Sequence, residues 1–137
     1  MGLTCMATIG SLSGPVFGTL PVTLAKELPA EPGPVDLSRA LRAGMAALTK
    51  LGKAEVGQRT LLDVLDPLQR QLASVNTTNM AARDRQCALD AAQATAAVHA
   101  ISGRASSLGD RALGHVDPGS RSMALIVGAI CDRLEAA

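Results

Sequence analysis

Apolar residues recur through most of the chain at the spacing of an α-helix. Two stripes in the first half consist mainly of leucine at intervals of three or four residues: Leu37, Leu41, Met45 and Leu48, then Leu61, Leu65, Leu68 and Leu72. Side chains at these intervals share one face of a helix. Asp36 before the first stripe and Gly52 after it predict the two ends of that helix. Thr60 and Asp63 have the spacing of a capping box at the start of the second.

Two more stripes predict helices in the second half. A long helix is expected from about Asn79 to Ile101, and His99 inside it is expected to be structural. A last helix is expected to begin with Asp117 as its cap and Pro118 in its first turn. The apolar positions of these helices are Cys87, Ala91, Ala94, Val98 and Ile101, then Met123, Ile126, Ile130 and Leu134.

Prolines predict where helices are interrupted. A helix is expected to start within residues 10–15, where a serine can cap it and a proline can occupy its first turn. Pro21 then predicts a kink or an early stop near Leu20, because an interior proline removes a backbone hydrogen bond and clashes one turn back. Pro67 predicts a second kink. Residues 29–34 contain three prolines and a glycine, which indicates a break between helices.

The amino-acid composition, taken together with these stripes, predicts the fold class. The chain has 137 residues, enough for one domain with a single core. Alanine and leucine dominate the apolar set and Phe17 is the only aromatic residue, so the composition favours helices over strands. We therefore expect an all-α fold, an antiparallel bundle or barrel of amphipathic helices with about five or six of them present.

Charge and cysteine content exclude several classes of function. The formal net charge is +1, and lysine and arginine form no long runs, so neither nucleic acid nor an anionic membrane is an expected partner. No uninterrupted apolar segment reaches the ~18 residues of a membrane-spanning helix. Cys5, Cys87 and Cys131 are odd in number and far apart, which predicts reduced, buried thiols in a cytoplasmic protein.

Three loop segments before or between helices are candidates for chemistry. The first, GSLSGP at residues 10–15, has small residues and free amides at a helix N-terminus, which suit a phosphate group. The same pattern is also common in loops that only cap a helix. The second segment is LGKAEVGQRTLLD at 51–63, and the third is GRASSLGDRALGHVDPG at 103–119.

Together these segments resemble the ATP-binding L subunit, or C-terminal domain, of dihydroxyacetone kinases. The hallmark strings of that family read like GGxSGPLYG, GDxTMLD and GRASYLGERSxGHxDPGA. The order and wording of the segments agree over nearly the whole chain, and the third is the nearest match. The resemblance implies a DhaL-type helical barrel with an adenine nucleotide, ADP or ATP, bound among the loops at one end.

The resemblance also implies the nucleotide-binding residues. Those expected at the phosphates are Leu12, Ser13 and Gly14; the other expected nucleotide contacts are Gly52, Leu61, Arg104, Asp117, Pro118 and Gly119. Leu61 replaces a methionine that packs on the base. Ser13 and Asp117 could equally be helix caps, Leu61 could be core, and Arg104 could pair with a carboxylate. No catalytic residue is expected, because phosphoryl transfer depends on positioning and charge neutralisation more than on a protein base.

The chain departs from the family in its acidic residues. The family's GDGDHG string, whose aspartates bind magnesium, is absent, and no Asp or Glu occurs before Glu27. The remaining carboxylates lack the clustering that Mg²⁺ requires, so no metal ligands are expected. We therefore expect residues 1–137 to be the C-terminal two-thirds of an N-terminally truncated domain that binds Mg-ADP weakly or not at all.

Two functions remain open from the sequence. The first is the nucleotide-binding subunit of a dihydroxyacetone (glycerone) kinase, which transfers phosphate to dihydroxyacetone held on a partner K subunit. Its phosphate donor would be ATP or a phosphotransferase-system subunit, and a homodimer is a further possible assembly. The alternative is a non-catalytic helical remnant or interaction module. An in-frame GDGDHG string in the DNA upstream of Met1 would favour the first, and a stop codon there the second.

Overall fold

A computed structural model describes residues 2–8, 13–74, 77–101 and 104–137, without the side chains of Cys5 and Arg104. The α-helices of this described part are α1 (Gly2–Thr8), α2 (Ser13–Glu27), α3 (Pro34–Gly52), α4 (Leu62–Ala73), α5 (Met80–Ala94) and α6 (Pro118–Glu135). Short 3-10 segments occupy Thr95–Ala97 and Arg104–Ala112. The described residues contain no strand, so the predicted all-α class is confirmed.

The helices form two compact units, Met1–Ala54 and Glu55–Ala137. In the first unit, α2 packs against both α1 and α3. Leu20 of α2 is buried, and its Cδ1 atom lies only 2.6 Å from where a Cβ on Gly44 of α3 would be. The missing side chain at Gly44 therefore lets these two helices approach closely.

The expectation of an early stop at Pro21 is wrong. The helix α2 continues through Pro21 to Glu27. Proline costs a helix interior one backbone hydrogen bond. Packing of α2 against two neighbouring helices offsets that loss, because tertiary burial contributes most of a helix's stability. Pro67 likewise lies inside α4, which runs unbroken from Leu62 to Ala73.

In the second unit, α4 packs against α5 and α6, and α5 packs against α6. The predicted stripe of α4 is confirmed, because all four of its leucines are buried: Leu61, Leu65, Leu68 and Leu72. Val64 of the same helix is fully buried. Arg85 of α5 contacts Asp132 and lies 3.0 Å from Glu135, which joins α5 to the end of α6.

The predicted length of the helix after Asn79 is wrong. The α-helix ends at Ala94, a 3-10 turn follows, and Val98 is extended. The buried positions are Asp84, Ala88, Ala92 and Thr95, not the predicted stripe. Hydrogen bonding at Thr95 ends the helix, because its hydroxyl donates to the Ala92 carbonyl at 2.6 Å. His99 therefore lies outside the helix, with a side chain 67% exposed.

The start of α6 agrees with the prediction, but its buried face does not. Asp117 is the N-cap and Pro118 is in the first turn. The buried residues are Ser120, Met123, Ala124, Val127 and Cys131. Of the predicted stripe only Met123 is buried, since Ile126, Ile130 and Leu134 are exposed. Both faces of α6 carry apolar residues, and the face with the smaller side chains packs against the neighbouring helices.

Among the helices of the described ranges, none combines the length and the apolar character needed to cross a lipid bilayer.

Candidate functional site

The N-terminus of α6 is built around the side chain of Asp117. Its Oδ2 atom accepts hydrogen bonds from the backbone N–H of Ser120 at 2.8 Å and from the Ser120 hydroxyl at 3.0 Å. This is an N-cap, which satisfies one of the amides that a helix leaves unpaired at its first turn. The carboxylate is thereby held at the start of an 18-residue helix.

The segment before α4 lies directly against this helix end. The Ser120 hydroxyl lies 2.8 Å from the carbonyl oxygen of Thr60, within hydrogen-bonding distance. A Cβ added to Gly119 would lie 3.9 Å from both the N and the Cβ of Leu61, and 3.1 Å from Oδ2 of Asp117. Three predicted site residues, Leu61, Asp117 and Gly119, are thus brought together, and Pro118 between the last two is exposed.

Thr95 anchors the other side of the same helix end. Its hydroxyl accepts a hydrogen bond from the backbone N–H of Asp117 at 3.0 Å while it donates to Ala92. Thr95 is 1% exposed and Ser120 is fully buried. These polar groups pair with one another, so the position of Asp117 is fixed by three segments of the chain.

One of the two hydrogen bonds of the capping box predicted at Thr60 and Asp63 is confirmed, the one from the backbone N–H of Thr60 to the Asp63 carboxylate. Asp63 accepts hydrogen bonds from the backbone N–H groups of Gly57 at 2.5 Å and Thr60 at 2.7 Å. Gly57 has a φ of 90°, a left-handed conformation that glycine adopts without a steric cost. The Asp63 carboxylate therefore orders the loop that leads to Leu61.

Arg59 is a candidate that the sequence patterns did not single out. It is 3% exposed, and its backbone has a φ of 61° in the left-handed region. Its Nη2 atom donates a hydrogen bond to the carbonyl oxygen of His115. Its Nε and Nη1 atoms are buried without a hydrogen-bond partner among the described residues. In the sequence Arg59 is a single cationic residue between Gly57 and the capping residue Thr60. Helical periodicity identifies apolar stripes and therefore does not single out such a residue.

The other predicted site residues belong to the first unit or cannot be described. Ser13 and Gly14 are the first residues of α2, and Gly52 is the last residue of α3, all in the first unit. Leu12 lies outside the described residues. Arg104 begins a 3-10 segment, but its side chain is not among those described. The cluster at α6 is therefore the part of the predicted site that the structure brings together.

A groove of about 600 Å³ opens between α4 and α5 in the second unit. Asp63 and Thr95 border it, but Leu61 and residues 117–119 do not line it. Polar side chains in and beside the groove pair with each other: Gln71 donates to Asp84 at 2.6 Å and Gln86 to Asp90 at 2.7 Å. The groove has the size of a ligand pocket. Its lining contains none of the residues predicted for the nucleotide.

The described residues do not fit a magnesium site. Within them, no group of three or more His, Cys, Asp or Glu side chains is arranged to hold a metal ion. Both carboxylate oxygens of Asp63 and the Oδ2 atom of Asp117 accept hydrogen bonds from backbone amides. Magnesium prefers carboxylates with oxygens free to coordinate it.

Comparison with known proteins identifies the family. The model of the DAK2 domain matches residues 1–132. The chain belongs to the DAK2 domain family. The resemblance of its loop strings to the nucleotide-binding subunits of dihydroxyacetone kinases is thereby confirmed, and relatives of this DAK2 domain carry such names.

Three relatives illustrate the similarity. The PEP-dependent dihydroxyacetone kinase 1, ADP-binding subunit DhaL, of Listeria innocua is 33% identical over 130 residues, covering 94% of this DAK2 chain and 63% of the relative. The ADP-binding subunit DhaL of the Escherichia coli PEP-dependent dihydroxyacetone kinase is 34% identical over 129 residues, covering 89% and 61%. Human triokinase/FMN cyclase is 30% identical over 140 residues, covering 98% and 24%. The chain thus spans less than two thirds of the bacterial subunits.

Proposed function

We propose that this DAK2 domain is the ADP- or ATP-binding part of a dihydroxyacetone kinase. The observation that carries the proposal is the cluster at the start of α6, where Gly119 lies against Leu61 beside the Asp117 cap. The names of the bacterial relatives, which are ADP-binding subunits, support the same ligand.

The chemistry of the cluster suits the base end of a nucleotide. Leu61 is an apolar side chain with 8% of its surface exposed, and Gly119 has no side chain to keep a flat ligand away from the backbone. The first turn of a long helix adds a partial positive charge. The Asp117 cap keeps this turn in one conformation, so the site would be preorganised. In phosphoryl transfer such residues act by positioning the nucleotide.

The partners belong to the same proposal. Dihydroxyacetone would be held on a separate K subunit, and the phosphoryl group would reach it from the nucleotide on this chain. The donor that recharges the nucleotide would be ATP itself or a phosphotransferase-system subunit, in keeping with the PTS-dependent kinase subunit of Lactococcus lactis, 33% identical over 130 residues. That residues 1–137 form the C-terminal two-thirds of such a domain stays a prediction.

Isothermal titration with ADP tests the nucleotide proposal. We expect weak, saturable binding whose affinity does not change when Mg²⁺ is added, because the described residues offer no magnesium site. Tight binding that requires Mg²⁺ would contradict our account of the metal. A wild-type chain that shows no saturation at millimolar ADP would contradict the nucleotide function and favour the non-catalytic interaction module.

A pair of glycine substitutions in α6 locates the site. Gly119→Leu would place a side chain between Leu61 and Asp117, so it should abolish ADP binding. Gly128→Leu is the matched control, because a Cβ at Gly128 meets no atom within 4 Å. It should leave ADP affinity unchanged. Equal affinity in the two variants would place the nucleotide away from α6.

A further inference from the structure

The guanidinium of Arg59 is a buried cation without a compensating charge in the described part of the chain. The side chain is 97% removed from solvent, as its exposure of 3% shows, and no ion pair in the described residues includes it. Arginine stays protonated even when buried. A buried charge with unmet hydrogen bonds costs free energy, and proteins retain such a group where a partner completes it.

The donors that remain unused define what that partner must be. Nη2 is bound to the His115 carbonyl, whereas Nε and Nη1 have no acceptor among the described residues. Both edges of the planar guanidinium therefore retain a nitrogen that can donate. The partner must carry negative charge and several oxygen acceptors, which are the features that guanidinium groups recognise in phosphates.

The carboxylates nearby are already committed to other groups. Asp63 accepts from the amides of Gly57 and Thr60, and Asp117 accepts from Ser120. Neither carboxylate forms an ion pair with Arg59. The Arg59 side chain is also fixed at both ends, by its left-handed backbone and by its bond to His115, two residues before the cap of α6. A rotation that would carry the charge into solvent must break that hydrogen bond.

We propose that Arg59 is an anion-binding residue that donates to an oxygen of a phosphate group through Nε or Nη1, each on its own edge of the guanidinium. The anion is either the phosphate of a nucleotide in the site beside Leu61 or a free phosphate ion. The first case rests on the proposed nucleotide function, and the second does not. Access requires a shift of the loop at residues 55–60, whose Val56 and Gly57 are exposed.

The test compares four forms of the full chain: wild type, Arg59→Met, Arg59→Lys and the control Arg70→Met. Arg70 is a surface arginine of the same unit with a side chain 75% exposed, so its variant removes the same charge without touching the buried site. Circular dichroism first establishes that each form is folded. Affinities for ADP, adenosine, inorganic phosphate and pyrophosphate are then measured by titration calorimetry, with the phosphate-dependent rise in Tm as a second readout.

We expect Arg59→Met to weaken the binding of the phosphate-bearing ligands by about tenfold or more, because charged hydrogen bonds are lost. Adenosine affinity should not change. The affinity of Arg59→Lys for these ligands should lie between those of wild type and Arg59→Met, because lysine keeps the charge but lacks the planar set of donors. Arg70→Met should resemble wild type. If Arg59→Met does not fold, Arg59→Lys carries the test, and its affinity for pyrophosphate should still fall.

The outcomes separate this proposal from the nucleotide function. Affinities for ADP, phosphate and pyrophosphate that are all equal in wild type and both Arg59 variants overturn the role of Arg59, and the ADP binding leaves the nucleotide function standing. A phosphate response that depends on Arg59 in a chain that does not bind ADP supports the anion site and contradicts the nucleotide function. No response of wild type to ADP, phosphate or pyrophosphate overturns the proposal, and a buried water would then be the partner of Arg59.

Discussion

Asp117 shows how a single side chain can position a whole site. Its carboxylate accepts from the amide and hydroxyl of Ser120, while its own amide donates to Thr95. Asp117→Ala would remove the cap and leave the buried Ser120 amide unpaired. We expect a loss of about 2 kcal/mol in the free energy of unfolding, since a cap is worth ~1 kcal/mol and a stranded buried donor costs a similar amount. Urea denaturation measures it.

The control for this prediction is Asp110→Ala. The Asp110 side chain is 91% exposed and lies 3.6 Å from His99, which is 67% exposed, and such a surface pairing contributes little in water. Its stability should match wild type. If Asp117→Ala unfolds at the same urea concentration as Asp110→Ala, the cap does not hold the start of α6.

The two described thiols give the stability of the fold a pH dependence. Burial raises the pKa of Cys131 above its ordinary value of 9.0, with the charge of Asp84 as a further cause, and burial likewise raises the pKa of Cys87. The folded state therefore prefers the neutral thiols. Their contribution is complete below the ordinary pKa and is lost as the pH rises through the raised one.

We expect the urea midpoint of wild type to fall above pH 9.0, the ordinary pKa of the thiol, more steeply than that of the double variant Cys87→Ala, Cys131→Ala. The variant will be less stable at every pH, because Cys131 is buried, so the slope is the quantity compared. Parallel slopes would show that other groups titrate instead.

At the level of elements, one helix was predictable in detail and two were not. The leucines of α4 form a single stripe, so periodicity alone identified its buried face. In α5 alanines occur on several faces, and the hydrogen bonds of Thr95, made partly to a residue 22 positions later, decide where the helix ends. In α6 the larger apolar residues face outward. Periodicity cannot choose between two apolar faces, because the choice depends on neighbours distant in sequence.

The site divides in the same way. The cap at Asp117 and the capping box at Asp63 depend on residues three positions apart, so the sequence showed both. The family resemblance alone made Leu61 and Gly119 candidates for the nucleotide site, and only the structure shows that they lie against each other. Arg59 depends on a bond to His115, 56 residues away, and no local pattern predicts it.

Two glycine-to-alanine substitutions should have opposite effects on helix stability. At Gly128 in α6 the added Cβ meets open space, so Gly128→Ala should stabilise the fold by about 1 kcal/mol through helix propensity. At Gly18 in α2 the Cβ would lie 2.7 Å from the backbone oxygen of Gly2 in α1. Gly18→Ala should therefore force the helices apart and cost about 1 to 3 kcal/mol. If both substitutions shifted the urea midpoint in the same direction, the close approach of α1 and α2 would be contradicted.

For the molecule as a whole, the exposed apolar residues of α6 are expected to promote association between copies of the chain. Ile126, Ile130 and Leu134 are 44%, 55% and 57% exposed, and their spacing of four residues puts them in one row of the helix beside its buried stripe. Contiguous apolar surface of this kind promotes contact between molecules, because its removal from water is favourable at about 25 cal/mol per Å². We expect the wild-type chain to gain mass as its concentration rises.

Sedimentation velocity over a range of concentrations tests this expectation. The triple variant Ile126→Gln, Ile130→Gln, Leu134→Gln should sediment as a single chain at concentrations where wild type does not, with its helical circular dichroism unchanged because the substituted residues are exposed. Val35→Gln is the matched control. Val35 is 64% exposed but lies on α3, so its variant should associate as wild type does. A wild-type chain of single-chain mass at every concentration, or equal relief by Val35→Gln, would show that the face of α6 does not drive association.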